Sequence, residues 1–102
     1  MGFFPDFIEF EWDSGNRDKN WRRHRVKWSE CEEVFFNMPL LLLPDIEHSL
    51  TEERDYAFGK TNNNRLLVVV FTVRDSRIRV ISARDMNKKE KRFYYEKTQK
   101  PS

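Results

Sequence analysis

Arginine is the residue type whose placement here speaks most directly to chemistry. Arg54, Arg65, Arg74, Arg77, Arg79 and Arg84 fall on or beside three consecutive segments that read as strands. Between residues 61 and 85 there are five arginines and no lysine. Paired strands lie about 4.8 Å apart, so side chains on one face can converge. A guanidinium is a planar fork of donors that matches phosphate oxygens two at a time. The set therefore suits a phosphodiester backbone lying on a sheet face. The plainer alternative is that single arginines guard strand edges or pair with surface carboxylates.

Other groups could titrate. His24 sits in Arg22-Arg23-His24-Arg25, where neighbouring cations favour the neutral imidazole that a general base requires. A histidine at a helix C-terminus, stabilised by the macrodipole, would look the same. His48-Ser49 precedes Glu52-Glu53, but no third member completes a nucleophilic triad. Such a glutamate pair more often marks a solvated loop than a catalytic dyad. Phe93, Tyr94 and Tyr95 cannot all face one way on a helix. One or two must pack on the sheet, leaving the rest to stack on bases or meet a partner. The glycines are Gly2, Gly15 and Gly59 alone, so no phosphate-cradling loop and no nucleotide-cofactor motif is present. The lone Cys31 cannot form an intrachain disulfide, and no Cys/His group has zinc-ligand spacing. Neither a cofactor nor a metal is expected.

The elements that must hold these residues follow from periodicity. Residues 7–12 alternate like a strand. Asp13 or Ser14 can cap a helix running to about Arg25, and Trp21, His24, Arg25 and Trp28 then share one helical face. Ser29-Glu30-Cys31-Glu32 has the form of a capping box, opening a short helix that Asn37-Met38-Pro39 ends. Residues 40–43 read as a short buried strand, 46–51 as a loop, and 54–58 as a strand with Gly59 turning out of it. Thr61-Asn62-Asn63-Asn64 is a hairpin signal, because asparagine tolerates positive φ. Residues 66–73 are uninterruptedly Leu, Val, Phe and Thr, the pattern of a central strand covered on both faces. Arg74-Asp75-Ser76 is a second turn, residues 77–83 a strand, and Asn87-Lys88-Lys89-Glu90 a capping box opening a helix to about Lys97. The order β-α-α-β-β-β-β-α predicts an α+β fold: a single antiparallel sheet with two N-terminal helices and one C-terminal helix on one side. Residues 1–97 form one domain and 98–102 a frayed tail.

The 102 residues allow one domain that can bury about two-thirds of its unfolded surface. Aromatic residues make up 15%, far from a disordered composition. The net charge of +2 conceals an asymmetry: residues 1–28 carry +1, residues 29–58 carry −7 and residues 59–102 carry +8. No apolar run approaches the roughly 20 residues of a membrane helix. The N-terminus lacks the charged-then-apolar order of a secretory signal. With an unpaired cysteine, these features predict a cytoplasmic protein that does not engage membranes.

A recurrent pattern runs through the chain. It comprises Phe10-Glu11-Trp12-Asp13, Asn20, Arg23-His24, Ser29-Glu30, Val34-Phe35, His48-Ser49, Glu53-Arg54, Gly59, Arg65-Leu66-Leu67-Val68-Val69-Val70, Arg79-Val80-Ile81-Ser82-Ala83-Arg84 and Glu90-Lys91-Arg92-Phe93-Tyr94-Tyr95-Glu96. Over residues 8–96 the sequence resembles the BrnT family, the toxin half of a bacterial type II toxin–antitoxin pair. The resemblance implies a RelE-like fold and a ribonuclease that arrests growth by cutting RNA. It also implies a cognate antitoxin, BrnA, that binds both toxin and DNA and represses their operon. Matched by position, it points to His24, Glu53, Arg54, Arg79 and Arg84 as catalytic, with Arg65, Arg74, Arg77 and Tyr95 as RNA contacts. In this scheme Arg79 and Arg84 offset charge on the phosphate, and His24 or Glu53 is the general base. The family's glycine after the helix histidine is replaced here by Arg25. The rival readings are a non-catalytic RNA- or protein-binding module using the same arginines, and a toxin homologue that has lost activity and survives as a partner or regulator.

Overall fold

The computed structural model describes residues 8–47 and 52–99. Three short helices precede one long hairpin system and a fourth helix follows it. The chain runs β1 (Glu9–Phe10), α1 (Ser14–Arg17), α2 (Lys19–His24), α3 (Trp28–Phe36), β2 (Leu41–Pro44), β3 (Asp55–Lys60), β4 (Leu66–Arg74), β5 (Arg77–Asp85) and α4 (Lys88–Thr98). The five strands form one sheet in the order β1-β5-β4-β3-β2. The expected α+β class and the central place of β4 are observed. The expectation of an all-antiparallel sheet is corrected. β2 to β5 are antiparallel, but β1 runs parallel to β5. The three helices after β1 carry the chain to the opposite edge, so β1 never pairs with a sequence neighbour.

The expected first helix is two segments. Asp13 caps α1 in a capping box with Asn16, and Asp18 ends it. α2 stops at His24 because Arg25 takes a left-handed conformation, φ 55°. That is the conformation a glycine adopts freely at a helix end, and here an arginine adopts it. The break removes the expected Trp21–His24–Arg25–Trp28 face. Arg25 stacks over Trp21 instead, and Trp28 opens α3 against Trp12. α3 also starts before the anticipated Ser29 cap. The Lys27 N–H donates to the Glu30 carboxylate at 2.9 Å, so Glu30 rather than Glu32 closes the box. α4 begins as expected with the Asn87–Glu90 box, and it runs one residue further, to Thr98.

The sheet carries a core on each face. On one, Cys31, Val34 and Phe35 of α3 pack on Ala57, Leu67, Val69, Phe71, Ile78, Val80 and Ala83. On the other, Tyr94 of α4 packs with Phe58, Val68 and Met86. α4 therefore lies on the face opposite α3, not on the same side. Gly59 is no turn residue but part of β3. A Cβ there would lie 2.9 Å from Val34 Cγ1 and 3.3 Å from the Val34 carbonyl oxygen, so glycine sets the approach of α3 to the sheet. β2 is a half-buried edge strand rather than a buried one.

Two asparagines hold the helices to the sheet. Beyond the short β1, the outer edge of β5 has no strand partner among the described residues. There Asn16 Nδ2 donates to the Val80 carbonyl at 3.0 Å, and Asn20 Oδ1 accepts from the Ala83 N–H at 3.0 Å. Buried edge groups that would otherwise be costly are thereby met.

Candidate active site

A bulge in β5 decides where its arginines point. Val70 pairs with Ser82 and Phe71 with Val80, so Ile81 is an extra residue. In a regular strand, residues five apart face opposite sides. The extra residue reverses that parity. Val80 and Ala83 thus both face the α3 core, and Arg79 and Arg84 both face the other side. Across that side the register sets rows. Phe58, Val68 and Arg84 form one row beneath α4. Thr72 pairs with Arg79, and Arg74 with Arg77, toward the open end. Like charges opposed on strands destabilise a sheet, so this end carries a cost that its carboxylates offset.

At the open end lies a cavity of about 300 Å³. Among the described residues, its cations are Lys19 of α2, Arg54 before β3, Arg74 at the end of β4 and Arg79 of β5, against the carboxylate of Glu52. Arg79, 22% exposed, is clamped from behind. Its Nη1 lies 3.3 Å from Glu11 Oε2 and its Nη2 2.9 Å from Asp13 Oδ2. Arg74 Nε donates to Glu52 Oε2 at 2.7 Å. The Thr72 hydroxyl donates to the Glu53 carbonyl at 2.7 Å, pinning the Glu52–Arg54 segment to β4.

The electrostatics follow the clamps. The Asn16 backbone N–H and then Arg79 hold the Asp13 carboxyl below its usual range. Arg74 does the same for Glu52. Both carboxylates are therefore ionised at neutral pH, and the guanidiniums they hold are oriented before any ligand arrives. Such preorganisation matters where negative charge develops during a reaction.

The remaining sequence-derived candidates are distributed elsewhere. Arg84 donates to both oxygens of Glu90, at 2.7 and 2.8 Å, tying β5 to the start of α4. Arg65 binds Asp85 at 2.7 and 3.0 Å, Glu30 at 3.2 Å, and the carbonyls of Arg25 and His24 at 2.8 and 3.2 Å. It clips the α2–α3 junction to the sheet. His24 is exposed at that junction, away from the cavity lining. Arg77, at the start of β5, is exposed and lies 3.6 Å from Glu9. Glu53 is exposed and meets Thr72 through its backbone. Tyr95 lies tilted against Tyr94, near Pro39 and Lys60. His48 and Ser49 lie outside the described residues.

Sequence reasoning passed over Lys19 and the Arg79 clamp, and preferred Glu53 to Glu52. The clamp had a signal. Glu11 and Asp13 alternate in a strand-like stretch and so project to one side, as a pair of counter-charges for a cation would.

A small α+β domain with a guanidinium-lined cavity and a carboxylate in its wall has the parts to hold a phosphodiester. The sequence narrows that chemistry: residues 12–90 match the family model described as the ribonuclease toxin, BrnT, of a type II toxin–antitoxin system, and the chain belongs to this family. No curated protein matches the chain. Among the described residues, no helix is long and apolar enough to cross a membrane.

Proposed function

We propose that this chain is a metal-independent endoribonuclease toxin whose active centre is the Arg54–Arg74–Arg79 cavity. The observation that carries the proposal is the convergence there of four cations with Arg79 already oriented by Glu11 and Asp13. RNA supplies its own nucleophile, the 2′-hydroxyl. Arg79, Arg74 and Arg54 take the scissile phosphate and offset charge on the pentavalent intermediate. A carboxylate of the Glu52–Glu53 pair accepts the 2′ proton, Glu52 from inside the cavity; as the bond from the 2′ oxygen to phosphorus forms, the bond from phosphorus to the 5′ oxygen breaks, and the 5′ oxygen leaves as a hydroxyl with a proton returned by that carboxyl or by water. The lowered pKa of Glu52 keeps it ionised while making it a modest base. His24, Arg77 and Tyr95 act further along the RNA, while Arg65 and Arg84 hold the fold through their carboxylate partners. The same proposal carries a RelE-like fold for residues 1–97, a cytoplasmic location, and neutralisation by a DNA-binding, BrnA-like antitoxin that represses the shared operon with the toxin.

The test has two arms. Expressed alone, the chain should arrest growth, with relief from the co-expressed antitoxin. Purified, it should shorten single-stranded RNA in EDTA and leave 2′,3′-cyclic phosphate ends. Products with 5′-phosphate and 3′-hydroxyl ends, or cleavage abolished by EDTA, would rule the mechanism out.

A further inference from the structure

The face of the sheet that carries the cavity holds a second hollow, of about 270 Å³, which the reaction just described does not use. Its floor is Phe58 and Val68, its walls are Leu43 and Tyr56, and its rim is the Arg84–Glu90 pair between β5 and α4. The Tyr56 and Phe58 rings meet edge to face, with centroids 6.4 Å apart.

The register joins the hollow to the cavity. Leu43 pairs with Tyr56, Tyr56 with Val70 and Val70 with Ser82, one row across four strands. The Phe58–Val68–Arg84 row lies beyond it, under α4, and the Thr72–Arg79 row of the cavity lies before it. Residues two apart on a strand are separated by about 6.8 Å, so hollow and cavity are adjoining stretches of one surface. Tyr56, Val70 and Ser82 between them are only partly buried. Tyr56 lines the hollow two residues after Arg54 lines the cavity.

The chemistry of the two is opposite. The cavity gathers Lys19, Arg54, Arg74 and Arg79. In the hollow Arg84 is matched by Glu90, both of whose oxygens it binds. The Tyr56 hydroxyl donates to the buried Asp45 carboxylate, and the exposed Glu47 lies close by. Aromatic and aliphatic walls, a neutralised ion pair and carboxylates beyond them disfavour an anion and suit a neutral planar ring. A nucleotide carries both parts side by side, an anionic phosphate and a neutral base.

We propose that the Leu43–Tyr56–Phe58 hollow is a nucleobase subsite, taking the base of a nucleotide next to the phosphate held in the cavity. This rests on the cavity being the phosphate site. Every base has a π-face, and only an unpaired one can leave its neighbours to enter, so the subsite selects single-stranded RNA with little choice among bases.

The probe is a 2′-O-methyl hexanucleotide, which cannot be cut through its 2′ oxygen. Its binding to the full chain is followed by anisotropy at low salt. A single abasic position walked along the probe should weaken binding about ten-fold at one place. At saturation, the methyl NMR signals of Leu43 and Val68 should shift with the intact probe and stay unmoved with the probe abasic at that place. Tyr56→Ala should weaken binding of the intact probe by the same factor and cost nothing further on that abasic probe. Tyr56→Phe, which keeps the ring, should retain most of the affinity. Methyl signals unmoved by the intact probe, or moved alike by every abasic probe, would overturn the subsite whether or not Tyr56→Ala folds. Arg79→Ala separates the two claims. Affinity lost with Arg79→Ala, while the methyl signals of the unaltered chain stay unmoved by the probe, overturns the subsite and leaves the phosphate cavity standing. Affinity kept with Arg79→Ala overturns the cavity, and with it a base placed beside its phosphate. If Tyr56→Ala leaves RNA binding intact but abolishes rescue by the antitoxin, the hollow belongs to a protein, and the proposal is likewise overturned.

Discussion

One residue type does three jobs in this molecule, and the partners of each guanidinium tell them apart. Arg65 binds two carboxylates and two backbone carbonyls while 27% exposed. Hydrogen bonds to charged groups contribute about 1.5–3 kcal/mol each when buried and less at this exposure. Arg65→Ala should therefore cost about 2 kcal/mol of stability, seen as a lowered midpoint in urea. An unchanged midpoint would show that the junction holds without it. Arg84 meets a single carboxylate, Glu90, in bidentate geometry. Arg79 is held on one side by Glu11 and Asp13 and faces a cavity on the other. Arg79→Lys should fail to restore function, because an ammonium cannot span two carboxylates and a phosphate as a planar fork does. Cleavage by that variant at the wild-type rate would contradict the fork's role. Cys31 is inert for a different reason. Burial pushes its thiol up to about 12, so alkylation by iodoacetamide at neutral pH should await unfolding; rapid modification of the folded chain would refute this.

At the scale of elements, much of the hairpin system was legible. Asn64, Asp75 and Ser76 take the positive φ that their turns demand, and the unbroken apolar run of β4 does sit in the middle of the sheet. What was not legible were features without a local signal. The parallel pairing of β1 depends on a contact 68 residues away in the chain. The bulge at Ile81 leaves no mark in composition, yet it puts Arg84 on the face of Arg79. Gly59 reads as a turn because glycine is common in turns, whereas its missing Cβ actually makes room for Val34. Gly59→Ala should thus destabilise the chain by about 1–3 kcal/mol, as overpacking does, by forcing α3 from the sheet. A neutral effect in thermal melting would mean that α3 can shift freely. For the site, the arginines were legible by type but their division of labour was not, since their carboxylate partners are scattered over the segment after β1, the α1 cap, α3, the segment before β3, the end of β5 and α4.

For the whole molecule, the −7 middle and +8 end are not separate surfaces. Glu30 reaches Arg65 and Glu52 reaches Arg74, so part of the acidic segment is clipped onto the basic one. The net +2 thus reflects internal pairing as well as exposed charge. Asp13, Glu52, Asp85 and Glu90 are all held below their usual carboxylate values, three of them chiefly by an arginine and Asp13 first by its backbone cap. A carboxyl with a lowered folded-state pKa stabilises the fold above its unfolded value and loses that contribution as pH falls through the folded one. The melting temperature should therefore hold down to about pH 5 and decline below about pH 4. A fold that keeps its full stability at pH 3 would show that these pairs contribute nothing. The central claim concerns the cavity, and the most direct measurement is the rate at which purified Arg79→Ala cleaves single-stranded RNA in EDTA, against wild type and Arg84→Ala. Loss of one preorganised group at developing charge typically costs about 10²–10³-fold, and that loss is expected for Arg79→Ala, with a smaller effect for Arg84→Ala. Cleavage by Arg79→Ala at the wild-type rate would contradict the account.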